Sequence, residues 1–263
     1  MDLRGQRIAI TGASTGIGKQ LALALARRGA QLALGARNLD ALRAVAASCE
    51  ALGSHAVALA CDVARPEDCR AFVEGAIAAL GGLDALVNNA GVTLVARFDR
   101  ITDLCVFEKV MQVNYLGAVY CTHAALPALR QSRGLLVAVS SLQGLTGVPT
   151  RTAYAASKHA LQGFCDSLRI ELRGSGVAVL VASPGFVSTE MRQRAFGPDG
   201  RPVGHDHREG KRAMTPERCA ELIARAMERR QRELVMTLGG KLLRWIKLVA
   251  PGLVDALAER AVR

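Results

Sequence analysis

The chain has 263 residues, half of them hydrophobic and 4% aromatic, with a formal net charge of +11. That length suits one α/β domain around a large aliphatic core, and abundant glycine with little proline excludes a disordered chain. No apolar run is long enough to span a bilayer, no basic run interleaved with aromatics points to nucleic acid, and the seven cysteines form neither a Cys-x-x-Cys pair nor a disulfide frame, which leaves them as buried thiols of a reducing compartment.

Met1 to Gly5 runs straight into an apolar strand at 7–11, so no signal peptide is expected and a cytoplasmic location follows. A glycine-rich turn leads into a helix over 16–28 that stops at Gly29. Residues 31–35 form the second strand, and Asn38 caps a helix that ends before Gly53. A third strand covers 55–60, Pro66 opens the next helix, and 83–87 is the fourth strand. One long helix is expected over 104–130, a fifth strand over 135–139, a helix over 152–172 and a sixth strand over 177–181. Thr215-Pro216-Glu217 opens another helix, and 233–236 is a last short strand. Strand and helix alternate throughout, and right-handed crossovers make that alternation a doubly wound parallel sheet of the Rossmann type, in one domain over 1–263. Two segments break the rhythm. Residues 188–213, polar and rich in Gly, Pro and Arg, read as a substrate lid; residues 239–263 read as an amphipathic tail.

The first turn, Thr11-Gly12-Ala13-Ser14-Thr15-Gly16-Ile17-Gly18, lies between a strand and a helix. Its glycines permit a sharp turn and let a pyrophosphate approach the helix N-terminus, where free N–H groups favour an anion. At the end of the second strand, where an acid would bind the adenosine ribose of NAD, the chain has Ala36 and Arg37. A guanidinium there accommodates a 2′-phosphate, so NADP(H) is expected in preference to NAD(H), without excluding the latter.

Tyr154 and Lys158 stand four residues apart inside the expected 152–172 helix and share one face of it. An ammonium beside a phenol favours the phenolate and makes the phenol a better acid. Ser141, past the end of the fifth strand, can add a hydroxyl to the same place. The three together would deliver a proton to a carbonyl oxygen; apart, they are amphipathic packing and a strand cap.

With the Gly turn at 11–18, Asp62 in Cys61-Asp62-Val63, Asn88-Asn89-Ala90-Gly91, Asn114, Ser141, Tyr154/Lys158 and Pro184-Gly185-Phe186-Val187-Ser188-Thr189 in this order and spacing, residues 5–190 resemble the short-chain dehydrogenase/reductase family in its compact single-domain branch. The resemblance implies that Gly12, Ser14, Thr15, Gly16, Ile17 and Gly18 bind the dinucleotide phosphates. Asp62 and Val63 would contact the adenine, and Asn89, Ala90 and Gly91 would stabilise the central strand beside the cofactor. Tyr154 would be the catalytic acid/base, Lys158 would bond the nicotinamide ribose and lower the Tyr154 pKa, and Ser141 would hold the substrate oxygen. Asn114 would support a water beside Lys158, while Pro184, Gly185, Val187 and Thr189 would cover the nicotinamide. It also implies a homodimer or homotetramer formed through the helices around 104–130 and 152–172.

The expected activity is an NADP(H)-dependent exchange of hydride between a nicotinamide and a carbonyl or secondary alcohol, in the reductive direction because the cellular NADP pool is reducing. Met191, Phe196 and the 142–150 loop (Leu142, Leu145, Val148) are expected to form apolar walls for a hydrophobic substrate. His205-Asp206-His207 with Glu209 is read as a solvated loop rather than a metal site. Lys241, Arg244 and Lys247 recur at three-residue steps in the tail, beside a broad apolar surface. Packing on its own domain or a partner subunit is expected of that surface, with peripheral contact to a membrane as the alternative. A catalytically idle NADP-binding regulator on the same fold is the other class of function.

Overall fold

The computed structural model describes residues 1–191, 194–204 and 213–260. Strands β1 (Arg7–Thr11), β2 (Gln31–Ala36), β3 (Ala56–Ala60), β4 (Ala85–Asn88), β5 (Leu135–Val139), β6 (Ala178–Ser183) and β7 (Glu233–Val235) form one parallel sheet in the order β3-β2-β1-β4-β5-β6-β7. The strands are near-continuous apolar runs because both faces of the sheet are covered. One covering layer is α1 (Gly16–Ala26), α2 (Leu39–Glu50) and α7 (Pro216–Glu228), packed on Ile8, Leu32, Val87 and Val137. The other is α3 (Pro66–Leu80), α5 (Gly117–Ser132) and α6 (Thr152–Glu171), packed on Ala9, Ala33, Leu86 and Leu136.

Local chemistry starts and stops these helices where the sequence says. The Asn38 side chain accepts from Ala41 N at 3.0 Å, Pro66 occupies the first turn of α3, and Thr215 Oγ1 accepts from Arg218 N at 3.2 Å. The expected single helix over 104–130 is instead three pieces: α4 (Cys105–Met111), a π-helical turn (Gln112–Leu116) and α5. The wider turn is held by Asn114, whose side chain reaches out of the helix to the backbone of Val92. Apolar periodicity does not register such an insertion, which tends to occur at functional positions.

The tail folds as α8 (Leu238–Val249) and α9 (Pro251–Arg260). Its apolar surface does not pack on the domain as expected: within these helices the buried residues are Gly240 and Val254.

The strand order reverses between β1 and β4, so the loops after them diverge and open a cleft at the carboxyl edge of the sheet. One hydroxyl ties the two strand ends together. Thr11 Oγ1, 2% exposed, accepts from Asn89 N at 3.0 Å and Ala90 N at 3.2 Å. Thr11→Val keeps the shape and strands two N–H groups, so it should destabilise the protein by about 1–3 kcal/mol in urea unfolding. Unchanged stability would show that the tie contributes nothing.

Candidate active site

The cleft has a volume of about 960 Å³, enough for a dinucleotide arm and a small substrate, and it runs from Arg37 at one end to Phe196 and Pro202 at the other. Of the turn residues, Gly12, Ser14, Thr15, Gly16 and Ile17 line it. Gly12 has φ +66°, and a Cβ there would stand 2.7 Å from Ala90 Cα. Gly18 does not reach the cleft. It lies buried beneath the turn, where a methyl would collide with Gly12 O and Asn89 Nδ2. Thr15, the N-cap of α1, makes no side-chain cap, and the first turn of α1 contains no acid. The first N–H groups of that helix therefore stay available to an anion. Asn89 Nδ2 donates to Thr11 O at 3.0 Å and Gly12 O at 3.1 Å, which fixes the turn against β4.

Arg37 is exposed at the cleft rim and has no ion-pair partner among the described residues. Asp62 and Val63 line the same end; Asp62 Oδ1 accepts from Ala64 N at 3.1 Å. Cys61, not singled out from the sequence, lies in this wall as well. These residues fit a phosphorylated adenosine: an open helix terminus, an unpaired guanidinium and a flat apolar wall.

At the other end Ser141, Tyr154 and Lys158 line the cleft together, with Ala90 and Gly91 between them and the turn. Ser140 lies alongside, but its Oγ is directed at Lys158 O, 3.5 Å away. Lys158 is 3% exposed; its Nζ donates to Val139 O at 2.9 Å and lies 5.7 Å from the centre of the Tyr154 ring. Asn114 is buried off the cleft wall behind Gly91. Its Oδ1 accepts from Val92 N at 2.8 Å, and its Nδ2 donates to Val92 O and to Ser157 Oγ, both at 2.9 Å. Its side chain thus forms a clamp between the β4 loop and α6. Pro184, Gly185, Val187 and Thr189 line the roof, and Thr189 Cγ2 would stand 3.3 Å from a Cβ on Gly16.

Burial dominates the electrostatics of the phenol. Burial pushes Tyr154 above its ordinary range, and the groups that oppose this are the Ser141 hydroxyl and the charge of Arg151. Burial also lowers Lys158 to about 8, so the ammonium itself is weakened. Arg151 stands one turn before Tyr154 on the cleft wall, with Nη1 donating to Thr93 Oγ1 at 3.1 Å and Leu94 O at 3.2 Å. Its three-residue spacing from Tyr154 is the mark of this contact in the sequence. Gln143 also faces the cleft, and its buried Oε1 has no partner among the described residues.

The substrate end is walled by Val92, Phe186, Met191 and Phe196. Leu142, Leu145 and Val148 do not line it. Leu142 is turned toward Gly185 and Gly240. The 188–213 segment is stitched down where it is described: Phe196 N donates to Thr93 O at 2.8 Å, Val95 N to Phe196 O at 2.9 Å, and Thr102 N to Pro198 O at 2.9 Å. His205, Asp206, His207 and Glu209 lie outside the described residues.

A family model for the short-chain dehydrogenases matches residues 6–198. The chain belongs to the short-chain dehydrogenase family. Among curated relatives, 11-beta-hydroxysteroid dehydrogenase 1A of Arabidopsis thaliana is 40% identical over 261 residues, covering 97% of this chain and 74% of the relative. An alcohol dehydrogenase from Thermococcus sibiricus, solved with 5-hydroxy-NADP, is 27% identical with a TM-score of 0.75, over 87% of this chain and 94% of that one. A short-chain dehydrogenase/reductase from Burkholderia phymatum, solved with NAD, shares the fold at 21% identity with a TM-score of 0.83, over 96% of each chain. This short-chain dehydrogenase is therefore an oxidoreductase of a family that works on small molecules with nicotinamide cofactors and commonly forms oligomers.

Burial of Lys158 sets a pH dependence. Its pKa falls from 10.5 in the unfolded chain to about 8, so between these values the unfolded chain holds a proton that the folded chain has released. Stability from this group therefore rises with pH across that window. Relative to Lys158→Met, the wild type should gain roughly 2 kcal/mol in urea unfolding between about pH 8 and pH 10. A flat difference would mean that the ammonium is not desolvated.

Proposed function

We propose that the protein is an NADP(H)-dependent reductase of hydrophobic carbonyl compounds, and in reverse a dehydrogenase of the matching alcohols, a ketone and its secondary alcohol above all. One observation carries this reading: the Tyr154 phenol and the Ser141 hydroxyl share a cleft wall directly over the buried Lys158. The bound dinucleotide supplies the hydride. Ser141 donates to the carbonyl oxygen and stabilises the negative charge that develops there, and Tyr154 gives that oxygen its proton. Lys158 holds the nicotinamide ribose. Ribose hydroxyls that accept from its ammonium would favour its charged form, against the burial that lowers its pKa. Arg151 keeps the phenol from rising further. Asn114 holds Val92 and Ser157 in register behind this group.

Gly12 to Ile17 would hold the pyrophosphate, Asp62 and Val63 the adenine, and Arg37 the 2′-phosphate, while Pro184, Gly185, Val187 and Thr189 would cover the nicotinamide. The apolar wall of Val92, Phe186, Met191 and Phe196 supports a hydrophobic substrate, and a relative named for a hydroxysteroid supports a polycyclic one. Homodimer or homotetramer formation through α5 and α6, and closure of the 188–213 segment over the substrate, belong to the same reading.

Tyr154→Phe should lower kcat for carbonyl reduction on the order of 10² to 10⁴-fold with little change in NADPH binding. Near-normal turnover would remove Tyr154 from the mechanism. Ala36→Asp with Arg37→Gln should lower the ratio of kcat/KM for NADPH over NADH by roughly 10- to 100-fold, the worth of a charge-assisted hydrogen bond. An unchanged ratio would refute the role given to Arg37.

A further inference from the structure

Eleven large hydrophobic side chains are exposed among the described residues, and seven of them lie between 238 and 257. Leu238, Leu242, Trp245 and Val249 succeed one another at four-, three- and four-residue steps, so they form one stripe along α8. All are more than half exposed, from 60% at Leu242 to 85% at Val249. An amphipathic helix of a globular protein ordinarily turns such a stripe to the core. Here the orientation is inverted. Arg244 pairs with Glu233 on β7, Lys247 Nζ donates to Leu145 O at 2.9 Å, and Gly240 lies against the Leu142 side chain. The domain grips α8 by its basic residues and a glycine, and the apolar stripe faces outward.

We propose that this outward stripe docks the protein on an anionic lipid surface. α8 contains three bases and no acid, and Lys241, exposed in its first turn, has no partner among the described residues. Apolar side chains that enter the acyl boundary, beside a lysine such as Lys241 that meets headgroup phosphates, are the arrangement by which a helix lies in a membrane interface. Trp245 stands midway along the stripe, and an indole is favoured at that depth. The net charge of +11 favours approach to a negative surface. A second copy of the chain fits less well. A two-fold contact sets the patch against itself, and α8 has no acid to pair with Lys241 there. No helix among the described residues is long and apolar enough to cross a membrane, so the contact is one of lying on the surface.

The position of the stripe adds a consequence. Thr237, the N-cap of α8, has its Cγ2 3.0 Å from where a Cβ on Gly185 would stand, and Gly185 lines the cleft. The docking surface thus begins at the cleft rim, where an apolar molecule leaving the lipid would enter. That consequence rests on the reductase reading; the docking itself does not.

Trp245 is the single tryptophan of the chain, so its emission reports the contact directly. The full-length protein should float with vesicles of phosphatidylcholine mixed with phosphatidylserine, with a blue shift of the emission. It should bind pure phosphatidylcholine on the order of tenfold more weakly, and added salt should weaken the anionic binding. Leu242→Ser with Trp245→Ser should abolish flotation. Lys241→Glu should weaken binding to the anionic vesicles on the order of tenfold and leave the neutral ones unaffected. These readouts need no turnover, so they succeed or fail independently of carbonyl reduction. Absence of flotation by the intact chain, or equal binding to both vesicles, would overturn the proposal. So would a dimer in light scattering, with Trp245 already blue-shifted without lipid, that the double serine variant dissociates; the stripe would then belong to a second copy.

Discussion

The hydroxyl of Thr11 is the point on which the site depends. It sits where the strand order turns back on itself, and the two loops leaving β1 and β4 would separate there without a tie. By accepting from Asn89 N and Ala90 N it binds the end of one strand to the start of the other's loop. The Asn89 amide completes the junction by donating to the two carbonyls of the glycine turn. Every other functional group is placed relative to this junction: the open terminus of α1 on one side, and Gly91 with Lys158 and Asn114 behind it on the other. The tolerance for added atoms is small, as the near-contact of Gly12 with Ala90 shows.

The second constraint is burial. Lys158 and the phenol of Tyr154 are held in surroundings that favour their neutral forms. What moderates the phenol is Ser141 and Arg151, one reached across the strand end and the other one helical turn away. Asn114 serves this group indirectly. Its π-helical turn brings a buried amide to Val92 and Ser157, and so ties the cleft wall to the helix that holds Tyr154. A buried amide with both its polar atoms satisfied is a rigid spacer, and rigidity is what a proton-delivery geometry requires.

The tail follows a different rule. Its composition is that of an amphipathic helix, yet the domain holds it by the polar side. Ion pairing to Glu233 and a bond to Leu145 O orient α8, with a glycine allowing close approach. Composition alone cannot distinguish that orientation from the reverse, because both present the same periodicity.

The sequence by itself determined the sheet, most helix limits, the glycine turn and the family. Strands buried on both faces must be apolar throughout, helix ends must be capped by residues such as Asn38 and Thr215, and a phosphate-binding turn must be short of side chains. These are local requirements, and they leave local marks in residues 7–18, 38, 66 and 215. Only the tertiary structure decided that Asn114 clamps Val92, that Gly18 supports the turn from below, that Arg151 moderates the phenol, and that the apolar stripe of α8 looks outward. Each of these depends on which atoms from distant parts of the chain meet, and on how much water they lose when they do. A pKa is set by that desolvation, and the orientation of a helix by the partner it finds. Neither quantity is a property of a residue's neighbours in sequence.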